Sequence, residues 1–346
     1  MDDSNVAAVN RAAVYNKPGT ISTKIVELEI PEPGPGEVLL RLSYSGVCHS
    51  DLAVMLGSWP EFPDPVTPDQ VGGHEGVGRI VKFGPGNTSA LKTGQRVGVK
   101  WIHSICGSCE PCLAGYDGIC FNQKISGLYT PGTFQQYIVA PANYVTPIPD
   151  GVEDAVAAPM LCAGVTTYAA LKRSNTRGGN WVVIMGAGGG LGNVAVQLAK
   201  GAFALRTIGI DMSSKRDFVM RSGAEAFVAV DAERSVTEQV LELTGGLGAH
   251  AVLVLTASDA AYANSIHLLR FGGTLVCVGI PSGEHTPIKS ASAQLIVANA
   301  LRIVGVSVGN RQEAIECLEF AARNIVTSTV EIRRMEDLTQ ASFQCP

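Results

Sequence analysis

The pattern of apolar and polar positions divides the chain into two parts. In the first part, "KIVELEI" and "VLLRLSYSGV" alternate apolar and polar residues, while glycine and proline recur through "PEPGPGEV" and "GPGNTSALKTGQRVGV". Alternation with a period of two predicts half-buried strands, and the glycine and proline clusters predict turns between them. Residues 1–160 are therefore predicted to form a turn-rich β domain.

The second part has a different periodicity. Short apolar runs, "WVVIM", "RTIGID", "AFVAV", "HAVLVL" and "GTLVCVGI", alternate with segments of helical spacing. Continuous apolar strands separated by helices are typical of a parallel sheet covered on both faces, so residues 161–308 are predicted to form a doubly wound α/β domain. After it, "RQEAIECLEFAARN" predicts an amphipathic helix and "VTSTVEI" a short strand.

Composition and charge narrow the classes of partner. Of the 346 residues, 46% are hydrophobic and 16% charged, and the formal net charge is −5, which excludes a disordered chain and gives no basic field for nucleic acid. The N-terminus is acidic and lacks a long apolar region, which favours the cytoplasm. Residues 178–199 contain no charged side chain, but their glycines and amides argue against a membrane span. We expect a small-molecule partner, with no nucleic acid and no membrane.

A nucleotide site is predicted where the strand "WVVIM" runs into glycines. The stretch "GAGGGLG" precedes the helical segment "NVAVQLAK", and the next strand ends in Asp211. Small residues let a backbone approach a pyrophosphate, and Asp211 can bond the adenosine ribose while repelling a 2′-phosphate, which favours NAD over NADP. Lys215 and Arg216 either flank the adenosine or are solvated charges. The predicted turn comprises Gly186, Gly188, Gly189, Gly190, Leu191 and Gly192.

Four of the nine cysteines crowd into "CGSCEPCLAGYDGIC". The two-residue gaps among Cys106, Cys109 and Cys112, followed by Cys120, allow four thiolates to converge on a structural zinc. Iron–sulfur motifs share the first spacings, but there a fourth cysteine comes after three residues and precedes proline. We favour zinc, with a cluster or unliganded thiols as the alternatives.

A second set of metal ligands is spread along the chain. Cys48 lies in "GVCHSDL", His74 in "GGHEGVG" and Cys162 in "PMLCAG". Two cysteines and one histidine are the ligand set of catalytic zinc sites that keep a fourth position open.

With these motifs the sequence resembles the zinc-dependent alcohol dehydrogenases of the medium-chain dehydrogenase/reductase family, nearest the yeast and fungal type. "GTFQQY", "GGLG" and "SVGNR" add to the resemblance, which spans residues 40 to 310. It implies a GroES-like catalytic domain (1–160, with a structural zinc lobe at 103–121), a Rossmann domain (161–308) and a return to the catalytic domain (309–346), with the active site in the cleft between the domains. It further implies two zinc ions per chain, NAD(H), and a homo-oligomer, with a tetramer favoured over a dimer.

The resemblance also implies roles for individual residues. Cys48, His74 and Cys162 correspond to the ligands of the catalytic zinc, Glu75 to a carboxylate that can approach the ion, and Asp51 to the acid that orients the ligand histidine. The remaining correspondences are Ser50 as the hydroxyl that bonds the substrate oxygen, His49 as a cation near the cofactor pyrophosphate, Thr166 as a nicotinamide contact, and Trp59 and Trp101 as either pocket or core residues.

The sequence departs from the family at Ala53, at Met55 and at its C-terminus. Ala53 stands where a histidine ends the proton relay, which predicts slower alcohol oxidation or a relay completed by water, and Met55 replaces an aromatic residue, which suggests a pocket shaped for something other than ethanol. The C-terminus also stops short of the family pattern, so an impaired zinc- and nucleotide-binding homologue is an alternative to an active enzyme. A third possibility is a reductase of a biosynthetic pathway. Cys277, Cys317 and Cys345 are interpreted as structural or incidental.

Overall fold

A computed structural model describes residues 7–59, 66–283 and 286–343. The chain forms two compact units. One comprises Met1–Cys162, Asn310–Ala322 and Thr329–Pro346, and the other comprises Ala163–Gly309 and Arg323–Ser328.

The first unit is built on antiparallel sheets, as its alternating sequence predicts. A five-stranded sheet has the order β8-β3-β4-β5-β9, and two smaller sheets pair β1 with β2 and β6 with β7. In the described residues its strands are β1 (Asn10–Tyr15), β2 (Thr23–Leu28), β3 (Glu37–Ser45), β4 (Gly76–Phe83), β5 (Arg96–Val99), β6 (Ile102–Ser104), β7 (Lys124–Ile125), β8 (Tyr137–Pro141) and β9 (Thr146–Pro147), and its helices before residue 163 are α1 (His49–Leu56), α2 (Glu110–Leu113) and α3 (Asp154–Pro159).

One face of the five-stranded sheet supplies the apolar core of this unit. The alternate residues Val38 and Leu40 of β3 pack with Ile80 of β4 and Val97 of β5, and all four are fully buried. This burial follows from the period of two, because successive side chains of a strand point to opposite faces of the sheet.

The second unit is a parallel six-stranded sheet with the order β12-β11-β10-β13-β14-β15. Relative to its first strand this order is 3-2-1-4-5-6, the arrangement of dinucleotide-binding domains. Its elements are α4 (Val165–Arg173), β10 (Trp181–Met185), α5 (Gly190–Gly201), β11 (Arg206–Asp211), α6 (Arg216–Arg221), β12 (Ala226–Ala229), α7 (Val236–Leu243), β13 (Ala249–Val254), α8 (Asp259–Ser265), β14 (Leu269–Cys277), α9 (Ala293–Ala298) and β15 (Arg302–Gly305).

The C-terminal part is helical. The predicted amphipathic helix is α10 (Arg311–Ala322), and α11 (Leu338–Phe343) ends the described chain. The strand predicted for "VTSTVEI" is wrong, because residues 326–332 are irregular. The side chain of Gln197 accepts a hydrogen bond from the Thr327 N–H at 3.0 Å and donates one to the Thr327 carbonyl at 2.9 Å, so a side-chain amide satisfies the backbone that a neighbouring strand would otherwise pair.

One helical stretch of the described residues, Asp154–Arg173, is long and apolar enough to cross a membrane, but 78% of its apolar window is buried inside the protein, as in a core helix. The uncharged window 178–199 is not a single helix, since it comprises β10, the glycine turn and most of α5.

Candidate active site

The first helix of the described residues, α1, begins at a cysteine. Cys48 is the N-cap of α1 and has an extended backbone (φ −121°, ψ 155°). The Asp51 carboxylate, in the first turn, accepts a hydrogen bond from the Cys48 N–H through Oδ2 at 2.9 Å. A carboxylate at this position satisfies an otherwise free N–H and interacts favourably with the helix dipole. The sequence "CHSD" therefore fixes the backbone from which the Cys48 thiol projects.

The same carboxylate holds His74. Its other oxygen, Oδ1, lies 2.8 Å from Nδ1 of the fully buried His74 ring. Because a carboxylate only accepts, Nδ1 carries the proton of this bond. The remaining nitrogen, Nε2, is buried and has no hydrogen-bond partner in the described residues. The Trp101 ring packs against the His74 ring in a T-shaped pair with centroids 4.9 Å apart, so the imidazole is held by a ring contact as well as at Nδ1.

Cys162 completes the group from a one-turn π-helix, Met160–Gly164, which follows α3. Insertions of this kind in an α-helix are frequent at functional sites. Its Sγ lies 4.0 Å from Sγ of Cys48, and one donor atom from each of Cys48, His74, Glu75 and Cys162 falls within 4.8 Å of the others. Two sulfurs about 2.3 Å from a tetrahedral zinc lie about 3.8 Å apart, so this spacing fits the ion.

The charges of this group also favour a bound cation. The Cys162 thiol and the His74 ring hold the pKa of Cys48 well below its ordinary value. Burial alone lowers the pKa of His74, but Asp51 and Cys48 raise it well above the ordinary value, and burial together with the charge of Cys48 raises the pKa of the Glu75 carboxyl. Several acidic groups thus share one buried space around an unpartnered imidazole nitrogen, which suits a divalent metal.

The four-cysteine segment forms a second group of donors. Sγ of Cys109 lies 3.5 Å from that of Cys112 and 3.8 Å from that of Cys120, which is 3.7 Å from that of Cys106. Backbone N–H groups of Cys106 and Asn122 each point to the Cys120 sulfur at 3.4 Å. Sulfur separations near 3.8 Å match a closed tetrahedral zinc site. Hydrogen bonds from the backbone to sulfur further stabilise thiolate charge.

A polar network that sequence reasoning missed anchors this segment. Asp117 accepts hydrogen bonds from the Tyr144 hydroxyl and the Arg311 N–H, both at 3.1 Å. The buried Lys100 donates to the Tyr144 carbonyl at 3.0 Å and lies over the Tyr144 ring, and burial together with the charge of Arg311 lowers the Lys100 pKa to about 7. The sequence feature that could have indicated this network is Lys100, a lysine within the apolar run "RVGVKW".

In the second unit, β10 leads into the predicted glycine turn, and α5 begins at Gly190 with Gly189 as its N-cap. A Cβ on Gly192 would lie 2.0 Å from the Gly186 carbonyl oxygen, so only glycine lets the helix start this close to the turn. A Cβ on Gly190, by contrast, would have no atom within 4 Å. Leu191 is half-buried. The open start of a 12-residue helix is suited to a phosphate.

Asp211 is the last residue of β11, and it is tied to the glycine turn. Its Oδ2 accepts a hydrogen bond from the Gly188 N–H at 2.7 Å, and its Oδ1 accepts one from the Met212 N–H at 2.8 Å. A Cβ on Gly188 would lie 2.7 Å from Cβ of Lys215, so the stem of that lysine lies against the turn. The Arg216 guanidinium lies over the Phe227 ring, 4.8 Å from its centroid.

The remaining predicted residues are placed as follows. His49 is exposed and Ser50 half-buried at the start of α1, and Thr166 is buried in α4. Ala53 and Met55 are buried core residues. The rings of Trp59 and Trp101 meet edge-on at 6.1 Å. Cys317 is fully buried, Cys277 is half-buried and Cys345 lies outside the described residues.

Comparison with known proteins follows the same division of the chain. Residues 34–150 match the model of the alcohol dehydrogenase GroES-like domain, and residues 190–323 match that of the zinc-binding dehydrogenases. Alcohol dehydrogenase 2 of Emericella nidulans is 55% identical over 338 residues, which cover 95% of this chain and 92% of that protein. The chain belongs to the zinc-type alcohol dehydrogenase family. It is therefore a zinc-dependent oxidoreductase of the medium-chain dehydrogenase/reductase type, as its motifs predicted.

Solved structures of the family agree with this assignment. The acetophenone reductase of Geotrichum candidum, solved in complex with NAD, is 28% identical with a TM-score of 0.82, and the match covers 98% of this chain and 94% of that one. A cobalt- and zinc-bound alcohol dehydrogenase from Pyrobaculum aerophilum is 25% identical with a TM-score of 0.83, covering 97% and 96%. The expected fold, a GroES-like domain with a Rossmann domain, is confirmed, and these relatives give no support to an inactive homologue.

Proposed function

We propose that this dehydrogenase transfers a hydride between a small alcohol and NAD, forming an aldehyde or ketone, or catalyses the reverse reduction. The observation that carries the proposal is the donor set of half-buried Cys48 with buried His74 and Cys162, in which the His74 Nε2 has no hydrogen-bond partner among the described residues. The glycine turn and Asp211 support the nucleotide, and the NAD bound to the related acetophenone reductase supports its identity.

In this proposal Cys48, His74 and Cys162 hold the catalytic zinc. When bound there, zinc supplies Lewis-acid polarisation of the substrate oxygen and lowers the pKa of an alcohol proton. Asp51 orients the His74 ring through Nδ1 and fixes the backbone of Cys48, so a single carboxylate positions two ligands. Glu75 lies within reach of the same donors and offers an additional carboxylate.

Ser50 is proposed to accept the substrate proton and pass it on. The residue is half-buried near the start of α1. The next turn of the helix supplies Ala53, which has no group that can carry a proton, so we propose that water completes the transfer. His49 is proposed to approach the cofactor pyrophosphate, and Thr166 the nicotinamide.

The nucleotide is proposed to bind on the glycine turn. The pyrophosphate meets free N–H groups at the start of α5, and Asp211 accepts hydrogen bonds from the adenosine ribose. When bound, the nicotinamide accepts or donates the hydride. The cysteines at 106, 109, 112 and 120 are proposed to hold a second zinc, which is structural because its four protein ligands leave no position for substrate.

A substrate panel on protein of known metal content tests the proposed function. We expect aldehydes or ketones to be reduced with NADH, with NADPH at least about tenfold poorer because the Asp211 carboxylate repels a 2′-phosphate. A panel of primary, secondary and aromatic alcohols with NAD measures the opposite direction. Absence of turnover with every carbonyl, in protein that contains both zinc ions, would contradict the proposal.

Asp211→Gly gives a sharper test of the nucleotide site. We expect the Kd for NADH to rise about tenfold or more, because two ribose hydrogen bonds to a charged group are lost, while the preference against NADPH relaxes. Fluorescence titrations with NADH and with NADPH measure the two Kd values. Asp211 also bonds Gly188, so the NADH-to-NADPH ratio, rather than the NADH affinity alone, decides the assignment. An unchanged ratio would refute it.

We propose a homo-oligomer, with a tetramer favoured over a dimer. Support comes from the edge of the parallel sheet, where Val297 of α9 is 81% exposed and Ile303 of the edge strand β15 is 39% exposed. Exposed apolar side chains beside an unpaired strand edge are typical of protein interfaces. Light scattering of the purified protein measures the number of subunits.

We propose a cytoplasmic location. The cysteines in the described residues are free thiols, including all six of the two metal-type groups, which suits a reducing compartment. Fractionation of cells that express the protein tests it.

A further inference from the structure

A second carboxylate lies beside Asp211 at the edge of the parallel sheet. In register, Asp211 at the end of β11 pairs with Ala229 at the end of β12, and Asp231 follows two residues later. Both oxygens of the Asp231 carboxylate accept hydrogen bonds from one residue, Ser213. Oδ1 accepts a hydrogen bond from the Ser213 N–H at 2.8 Å, and Oδ2 accepts one from the Ser213 hydroxyl at 2.7 Å.

Ser213 follows Asp211 by two residues, so Asp231 acts on the loop where the adenosine ribose is proposed to bind. A backbone N–H and a hydroxyl on one residue are donors that a phosphate monoester uses. The cationic residues Lys215 and Arg216 follow Ser213 by two and three residues, and both are exposed. Without Asp231, this loop would present two donors and two cations, which together suit a 2′-phosphate.

We propose that Asp231 is a second determinant of cofactor choice, which excludes NADP by occupying the Ser213 donors and by adding a negative charge next to Asp211. The carboxylate takes the place that the 2′-phosphate oxygens would otherwise have on Ser213. This inference rests on the proposed nucleotide site and extends it, since it assigns a specificity role to a residue of the neighbouring strand end.

The contacts of Asp231 suit it to specificity more than to stability. The carboxylate is exposed, and its pKa is lowered by the hydroxyl and then the N–H of Ser213, so it is ionised at neutral pH. Exposed polar contacts contribute little to the free energy of folding. A charge near a dianionic phosphate, by contrast, acts directly on its binding, although salt screens the effect.

Binding of two adenosine ligands without a nicotinamide tests the proposal without relying on turnover. Isothermal titration calorimetry at low salt measures the Kd of adenosine 5′-monophosphate and of adenosine 2′,5′-bisphosphate for the wild-type protein and its variants. For Asp231→Ala we expect about tenfold tighter binding of the bisphosphate, because a repulsive charge is removed and two donors are freed, with the monophosphate changed less than about twofold.

Three further variants separate charge from hydrogen bonding. Asp231→Asn removes the charge but keeps one acceptor for Ser213. We therefore expect the logarithm of the bisphosphate Kd to change by about half as much as in Asp231→Ala. Glu233→Ala removes another exposed carboxylate of the same loop, one outside the Ser213 contacts, and should leave the ratio of the two Kd values unchanged. Asp231→Ala is also made in the Asp211→Gly background, where the first determinant is absent and the gain should persist.

The outcomes are distinguishable. If the monophosphate does not bind to the wild-type protein, the proposed nucleotide site itself is wrong, and this inference falls with it. If the monophosphate binds but Asp231→Ala leaves the ratio unchanged in both backgrounds, Asp231 has no role in cofactor choice while the proposed function stands. An equal change for both ligands would also overturn the inference, because it would assign Asp231 only to holding the loop.

Discussion

Replacing Cys48 by alanine is expected to reduce the zinc content from two ions per chain to one and to lower kcat/KM by about 10³-fold, because loss of Lewis-acid polarisation costs several kcal/mol in the transition state. Of the three proposed ligands the variant keeps His74 and Cys162, and Glu75 lies nearby. Zinc measurement by mass spectrometry and steady-state kinetics check the two parts of this prediction.

Folding should be little affected by this change. The hydrogen bond that begins α1 uses the backbone N–H of Cys48, which alanine retains, and so Asp51 keeps both of its contacts. Cys277→Ala is the matched control, since it removes a thiol outside both metal-type groups and should keep both zinc ions and full turnover. Full zinc content with full activity in Cys48→Ala would contradict the assignment of this thiol.

Replacing Cys109 by serine is expected to act on stability. Its sulfur contacts those of both Cys112 and Cys120, so the change removes a central donor of the four-cysteine group. Structural zinc contributes its binding energy to folding, and a loss of roughly 3–4 kcal/mol would lower Tm by about 10 °C. Thermal unfolding followed by circular dichroism measures the shift.

Turnover distinguishes the four-cysteine group from the group that contains Cys48. At 25 °C, the folded fraction of Cys109→Ser should keep kcat/KM within about threefold of the wild-type value, because no substrate position is available at a closed four-cysteine site. Cys277→Ser serves as the control for a cysteine-to-serine change elsewhere. An unchanged Tm, or a loss of turnover equal to that of Cys48→Ala in folded protein, would contradict the structural role.

Asp51 shows how far the contacts of a residue could be predicted from its neighbours in the chain. Asp51 lies three residues after Cys48, and helix geometry alone allows its contact with the Cys48 N–H. Its contact with His74 joins residues 23 positions apart. That second bond was expected only from the family resemblance, because no local rule brings the two residues together.

Ala53 and Met55 show a different limit. Ala53 predicted an altered proton relay and Met55 an altered substrate pocket, and in the structure both side chains are buried. Helix periodicity places residues on faces, but it does not say which face packs against protein and which lines an opening. The substrate is therefore a matter for the substrate panel.

The sequence by itself determined the two-part architecture, the four-cysteine group and the glycine turn followed by Asp211. These features depend on local periodicity and on short spacings, which a chain carries wherever it folds. Tertiary structure decided the rest. It left residues 326–332 without a strand and paired the Thr327 backbone with the Gln197 side chain. It also tied the four-cysteine segment to Tyr144 and Arg311 and set Asp231 against Ser213. Each of these contacts joins residues at least 18 positions apart, so its existence depends on which strand ends and loops the fold makes neighbours.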